Sequence, residues 1–221
     1  MTREEVEERL EEYSAYKAIK EAHDDVEENP PQTDSDNLEN GVDNNLQISD
    51  KETDKEKEEE TLAEVVSLVE DPQDETDHPP VPSLDNCDLS ELDLSDLDFL
   101  SISIQNANLT KAILNRANLS NSSLVKTSLA NANLNDTNLS ETDLSDANLS
   151  QAILESANLE GSLLNRANLS DAMLERANLR KCKLIESNLT NANLNEVTCG
   201  LADFSRSELT NVKAIGADFN R

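Results

Sequence analysis

The side chains that most often carry catalysis or bind metals are few in this sequence and far apart. Histidine occurs twice, as His23 and His78, and none follows His78. Cys87, Cys182 and Cys199 lack metal-ligand spacing, and their odd number argues against a disulfide framework. A serine or cysteine nucleophile needs a base such as histidine beside it, so no nucleophilic triad is expected after residue 80.

Carboxylates are abundant, but their pattern does not favour acid–base chemistry. The net charge is −29; residues 1–80 hold 28 acidic and 7 basic side chains, and residues 81–221 hold 19 and 11. Paired carboxylates act as acid and base when a cleft tunes their pKa values, and nothing in the sequence predicts such a cleft. We therefore expect no enzyme, no cofactor and no metal site. A chain this acidic repels nucleic acid and anionic membranes and attracts basic protein surfaces.

The element that must position these side chains is a five-residue repeat of apolar residues from Leu84 to Phe219. Of 28 consecutive positions spaced five apart, 26 hold Leu, Ile or Phe, and the exceptions are Cys199 and Ala214. Two residues before each position, from Ala107 onward, stands Ala, Ser, Thr, Cys or Val. A period of five fits neither an α-helix nor a flat strand.

A coil that turns a corner every five residues places each apolar residue and its small neighbour inside. Four sides make a 20-residue turn, so the 28 units predict about seven stacked turns over residues 84–221. At a strand spacing of about 4.8 Å, the rod would be roughly 34 Å long. No turn can bury its own interior, so stability must come from stacking, with about 1.5–3 kcal/mol for each buried Leu. The sequence predicts an all-β solenoid.

This repeat resembles that of the pentapeptide repeat family, whose consensus is A(D/N)LXX. The resemblance covers residues 82–221, and a typical unit is Ala107-Asn108-Leu109-Thr110-Lys111. It implies a right-handed quadrilateral β-helix and dimerisation through the C-terminal coil. The family is abundant in cyanobacteria, so the resemblance also suggests a bacterial, cyanobacterial source.

The N-terminal region begins with a predicted acidic amphipathic helix over residues 1–23. Thr2 and Glu5 have the spacing of a capping box. The apolar stripe is thin, which fits either a mostly solvated helix or a docking helix for a partner. It contains Val6, Leu10 and Tyr13. Residues 24–60 are predicted to be a disordered acidic linker, because they cannot bury enough apolar surface to offset chain entropy.

A second short helix is predicted over residues 61–71. It has one apolar face, formed by Leu62, Val65, Val66 and Val69. So short a helix is not stable alone, so this face must pack on something. We expect it to cap the first coil, where unusually large residues occupy the small inward positions: Leu92, Leu97 and Ile102. The alternative is a partner-binding helix. Residues 72–83 form a proline-rich linker.

Position modulo 20 assigns each residue of the rod to a face. Asparagines stack on two faces, where they are expected to hold the corner turns. On a third face, apolar residues replace the usual Asn or Asp at three outward positions: Ile113, Ile153 and Met173. This apolar row is a candidate partner surface. The alternatives are ordinary scattered surface residues and a seat for the first helix.

The last coil is the second candidate surface. An uncovered coil end exposes backbone edge and apolar interior, which natural repeat proteins cover. We therefore expect a homodimer through the C-terminal coil, with four candidate residues: Phe204, Leu209, Ala214 and Phe219. A small basic cluster would be a solvated edge or a seat for the acidic N-terminal region; it consists of Arg176, Arg180, Lys181 and Lys183.

Together these features favour a non-catalytic protein-binding scaffold or regulator that presents a rigid rod and a flexible acidic arm. No run of 18 apolar residues and no signal peptide occur, so we expect a cytoplasmic protein without membrane or direct nucleic-acid binding. The alternative is a DNA mimic that inhibits an enzyme such as gyrase or topoisomerase. Charge weakens it: a 34 Å duplex carries about 20 phosphate charges, whereas the 19 acidic and 11 basic residues of the rod leave −8.

Overall fold

The structure, a computed structural model, describes residues 1–14 and 83–220. Residues 3–14 form a helix, α1, and residues 83–220 form a coil of short sides, which we call the rod. Both belong to one compact unit. The predicted linkers and the predicted second helix, residues 61–71, lie outside the described residues and stay predictions.

Parallel β-bridges define the register of the rod. Every fifth residue from 83 to 218 pairs with a residue 20 positions away in sequence, as Ser83 does with Ser103 and Ile153 with Met173. Within residues 83–220 the bridges are isolated, because a corner interrupts the chain after each one. Backbone hydrogen bonds join successive coils, and Leu109 N donates to Ser128 O at 2.7 Å. The predicted solenoid is confirmed. We call residues 83–102 the first coil and residues 203–220 the last coil.

Each corner is a tight turn with one residue in the left-handed region. Between Leu109 and Ala112, for example, Ala112 N donates to Leu109 O at 3.0 Å, and Lys111 has a φ of 59°. This combination is typical of a type II turn. A non-glycine residue in this conformation costs roughly 1–2 kcal/mol. The ladder offsets that cost, since Lys111 N also donates to Ala130 O in the next coil at 2.9 Å.

The interior consists of stacked apolar columns. Leu119, Leu139 and Leu159 are fully buried, as the five-residue period predicts. Most polar residues at the small inward positions are buried too, and four of their hydroxyls donate to carbonyls of the preceding coil: those of Ser122, Thr127, Thr137 and Thr142. Thr137 Oγ1, for example, lies 2.8 Å from Leu114 O. The inward threonines therefore add hydrogen bonds that tie neighbouring coils together.

The asparagine ladders hold the corners, as predicted. Asn138 Nδ2 donates to Asn118 Oδ1 at 3.0 Å, and Asn178 Nδ2 donates to Asn158 Oδ1 at 3.0 Å. Each Oδ1 also accepts from the backbone two residues on, as Asn138 does from Ser140 N at 3.2 Å. One side chain thus bonds its own corner and the next coil, which is a structural role.

α1 covers the open end of the first coil. Its capping box forms, with Thr2 N donating to Glu5 Oε2 at 2.7 Å and Glu5 N donating to Thr2 Oγ1 at 3.2 Å. Val6 is fully buried, and three further side chains pack on the same core: Met1, Leu10 and Tyr13. Eight of residues 1–14 are exposed, so the helix is mostly solvated, and only this face packs on the first coil. The helix is not seated on the apolar row.

Candidate protein-binding surfaces

The apolar row faces outward, as its position in the repeat predicts. Ile113 is 38% exposed and Met173 is 40% exposed, while Ile153 between them is half-buried. Ile153 bridges Met173 on one side and Asn133 on the other, so Asn133 separates it from Ile113. The row is therefore a ridge of apolar side chains along one face, interrupted by Asn133 between Ile113 and Ile153.

Acidic side chains border this row at the adjacent corner. Glu155 and Glu175 follow Ile153 and Met173 by two residues. Arg176 lies between them, with Nη1 2.8 Å from Glu175 Oε1 and Nη2 3.8 Å from Glu155 Oε2. An apolar ridge with a charged border has the composition of a contact surface.

Ion pairs join the corners of successive coils. Arg116 donates to both carboxylate oxygens of Asp96 at 2.7 Å, and Arg166 pairs with Asp146 in the same way. These hydrogen bonds lower the pKa of both aspartates below the ordinary value. The basic cluster is partly paired as well, with Lys181 Nζ 2.7 Å from Glu160 Oε1. Exposed pairs contribute little each, so the corners are mainly a solvated surface.

The last coil presents apolar side chains that earlier coils bury. Leu209 is 46% exposed and Phe219 is 57% exposed, while Phe204 is half-buried and Ala214 is exposed. The rings of Phe204 and Phe219 lie with centroids 6.3 Å apart and tilted by 57°. These four residues adjoin the same end of the rod. Sequence reasoning missed Ile215, a corner residue that is 78% exposed and enlarges this surface.

The opposite end is capped by α1, while the predicted capping role of residues 61–71 lies outside the described residues and stays a prediction. Arg3 donates to Asp93 O at 3.0 Å and to Ser95 O at 3.3 Å, and Arg9 donates to Ser83 O at 3.3 Å. In the next coil the equivalent carbonyls accept amides of the preceding coil, as Ile113 O does from Leu94 N. The two arginines therefore donate to these carbonyls in the way that backbone amides do between successive coils.

The large residues under this cap lie where the sequence placed them. Ile102 is buried, and Leu92 and Leu97 are partly buried against the core. The helix predicted to cover them has four candidate residues, all outside the described ones: Leu62, Val65, Val66 and Val69. The signal that would have found α1 instead is the spacing of Arg3, Val6 and Arg9 on one helical face, which combines an apolar contact with two backbone donors.

The cysteines differ in accessibility. Cys182 and Cys199 are buried, and burial raises the pKa of each thiol to about 11. Cys182 Sγ donates a hydrogen bond to Leu159 O at 2.9 Å, so this thiol has a structural role inside the rod. Cys87 is half-buried at the capped end, where Arg9 Nη1 lies 3.9 Å from its sulfur.

Among residues 1–14 and 83–220, no group of His, Cys, Asp and Glu side chains is arranged to hold a metal ion. Within those same ranges, no helix has the length and apolarity needed to cross a membrane.

The sequence profile of the Pentapeptide repeats family matches the chain in eight copies, which together span residues 83–221. No curated protein matches. Solved structures that resemble the chain include the pentapeptide repeat protein Rfr23 from the cyanobacterium Cyanothece 51142, with 26% identity, coverage of 58% of this chain and 91% of that chain, and a TM-score of 0.39.

Two further structures are similar. HetL, a pentapeptide repeat protein involved in heterocyst differentiation regulation from the cyanobacterium Nostoc sp. strain PCC 7120, shares 19% identity, covers 61% and 86% of the two chains and has a TM-score of 0.29. QnrB1, a plasmid-mediated fluoroquinolone resistance protein, shares 20% identity, with coverage of 62% and 78% and a TM-score of 0.46. The family profile spans more than half of the sequence, and its matched residues coincide with those of the rod. The chain therefore belongs to the pentapeptide repeat family, whose members are generally non-catalytic and protein-binding.

Proposed function

We propose that this protein is a non-catalytic, cytoplasmic scaffold or regulator whose rod binds a protein partner through the apolar row. The acidic N-terminal region would act as a second recognition element; most of it lies outside the described residues. The proposal needs no cofactor. It rests on family membership for the general mode of action and on one surface feature for the site.

The observation that carries the proposal is the exposure of Ile113 and Met173 on the side of the rod, away from its C-terminal end. The other exposed large apolar residues of the described ranges lie at that end: Leu201, Leu209, Ile215 and Phe219. Outward positions on the neighbouring faces are filled by asparagine ladders that bond within the protein. The apolar row forms no such ladder and leaves aliphatic groups in water. A partner that covers the row would remove this apolar surface from water at about 25 cal/mol per Å2.

The test compares full-length variants in affinity capture from the source organism. Ile113→Glu combined with Met173→Glu places two charges on the row without touching the interior. We expect the set of captured proteins to lose specific members. Leu163→Glu is the matched control, because it introduces a carboxylate at the equivalent outward position of another face. Equal loss of the same proteins with the control, or no loss with the double variant, contradicts the proposed site.

We also propose that the last coil forms a homodimer interface through Phe204, Leu209, Ala214 and Phe219. The exposed apolar side chains of this coil support it. Sedimentation analysis of the full chain should give twice the chain mass, and Phe219→Asp should give the monomer. A monomer for the unmodified protein at tens of micromolar concentration would refute this interface.

DNA mimicry is the weaker alternative. Duplex DNA presents continuous negative charge along its length, whereas the corners of this rod alternate acidic and basic side chains. Lys111 pairs with Glu91, and Arg206 pairs with Glu186. A supercoiling assay with purified gyrase and micromolar concentrations of this protein distinguishes a DNA mimic from a protein-binding scaffold. Inhibition would favour mimicry, and unchanged supercoiling would exclude it.

A further inference from the structure

A groove of about 430 Å3 lies between α1 and the first coil. Its floor is apolar: Leu10 and Tyr13 come from α1 and Leu97 comes from the first coil, and all three are only partly buried against the core. This volume is within the range of small ligand-binding clefts and is too small for a folded domain. The groove is on the capped end and does not include the apolar row.

Both walls of this groove are acidic. Glu7 and Glu11 line the helical side, and Asp96 and Asp98 line the opposite side. On each side of the groove, one carboxylate is paired with an arginine. Arg3 Nε lies 2.7 Å from Glu7 Oε1, and Arg116 forms an ion pair with Asp96. Glu11 and Asp98 form no ion pair with any described residue. Asp98 is held in place by Leu100 N at 3.1 Å and Asn118 Nδ2 at 2.8 Å.

The surrounding charge has the same sign and is concentrated at this end. The first coil contains six acidic side chains and no basic one, and residues 1–14 contain six acidic and two basic side chains. Residues 103–220 contain 13 acidic and ten basic side chains, so the remainder of the rod is nearly balanced. A field concentrated over a groove steers cationic groups toward it.

We propose that this groove binds a short basic peptide segment of a partner protein. An apolar side chain of the segment packs on Leu10, Tyr13 and Leu97, and flanking lysine or arginine side chains pair with Glu11 and Asp98. The apolar floor selects for a peptide over a bare cation. The acidic walls exclude acidic peptides, nucleic acid and anionic lipid. This site and its partner chemistry are independent of the proposed role of the apolar row.

Tyr13 provides a direct readout, because the chain has two tyrosines and no tryptophan. Full-length protein carrying Tyr16→Phe retains Tyr13 as its only tyrosine. The probe is a synthetic peptide in which one leucine is flanked by two lysines on each side. We expect a saturable change in tyrosine emission, with an affinity that falls as salt concentration rises.

Charge-neutral variants test the walls without altering their shape. Glu11→Gln combined with Asp98→Asn keeps the side-chain oxygen that accepts from Leu100 and Asn118. Losing two exposed pairs should weaken binding about fivefold and reduce its salt dependence. Glu208→Gln, on the last coil, is the matched control and should leave binding unchanged. Unaltered circular dichroism of each variant verifies the fold.

Three results would overturn the proposal. The first is the absence of saturable binding by the lysine–leucine peptide. The second is equal binding of a peptide with serine in place of leucine, since the apolar floor would then contribute nothing. The third is equal weakening by Glu208→Gln, which would show unspecific attraction to an acidic protein.

Discussion

Arg3 donates to the backbone carbonyl of Asp93 at 3.0 Å, in the position that an amide of a preceding coil would occupy. A side chain of α1 thus supplies a hydrogen bond that a backbone amide supplies elsewhere in the ladder. Arg9 does the same at Ser83 on another side of the first coil. A helix and a parallel β-coil have unrelated backbone spacings, so long and adaptable donors are required at their junction.

The cap should open when its buried contact is lost. Val6→Asp places a charge where Val6 is fully buried, and burial of an unpaired charge is strongly unfavourable. We expect α1 to detach while the rod stays folded, and Cys87 to react with a thiol reagent at least tenfold faster. Cys182 and Cys199 should stay slow, because burial holds their thiol pKa at about 11.

Glu4→Gln, at an exposed position of α1, is the control for this measurement and should leave the Cys87 rate unchanged. Fast reaction of all three thiols in the Val6 variant would mean that the cap and the rod unfold together.

Leu201→Gly should stabilise the protein although it removes an apolar side chain. Leu201 has a φ of 65° and is 56% exposed, so it is held in a left-handed conformation with little burial in return. Relief of that conformation is worth about 1–2 kcal/mol, less about 0.5–1 kcal/mol of added chain entropy. Urea unfolding should show a higher midpoint. A lower midpoint would mean that the side chain packs more than its exposure indicates.

Leu139→Ala should destabilise the rod by about 2–5 kcal/mol, since it leaves a cavity in a stacked column. Leu139 is fully buried, and its neighbours in the column are fixed by the ladder, so they cannot close the gap. Urea unfolding monitored by circular dichroism measures the loss. Arg180→Ala, at an exposed corner position outside the left-handed region, should stay within about 0.5 kcal/mol of the parent.

Asp85 should make stability depend on acid. Although partial burial favours its neutral form, hydrogen bonds from Ser103 Oγ at 2.7 Å and Gln105 N at 2.6 Å lower its pKa below the ordinary 3.8. The folded pKa is depressed, so the contribution is present above pH 3.8 and disappears as pH falls through the folded pKa. Asp85→Asn should therefore cost stability at pH 7 and little at pH 2.

Urea unfolding of both proteins at the two pH values measures this difference. Asp136→Asn is the control, because its carboxylate accepts no hydrogen bond from any described residue, and it should cost little at either pH. A loss for Asp85→Asn that is equal at the two pH values would assign the effect to packing.

The sequence predicts the rod well because every side of the coil repeats the same local rule. The burial of Leu119 and Leu159 and the outward position of Ile113 follow from residue number alone. α1 could not be placed in this way. The three-residue spacing of Arg3, Val6 and Arg9 indicates one helical face, but it does not indicate which surface that face covers. A backbone acceptor has no residue identity, so the sequence gives no sign of which carbonyls Arg3 and Arg9 reach.

The 20-residue register also limits how such a chain can change length. Removal of a complete coil, such as residues 123–142, would bring residues 122 and 143 together with every later face still aligned. Removal of a single five-residue side would rotate all later faces by a quarter turn, separating Met173 from Ile113 and breaking the asparagine ladders. Insertions and deletions in a protein of this design should therefore be tolerated in whole coils, so that the distance between its two ends varies in fixed steps of about 4.8 Å.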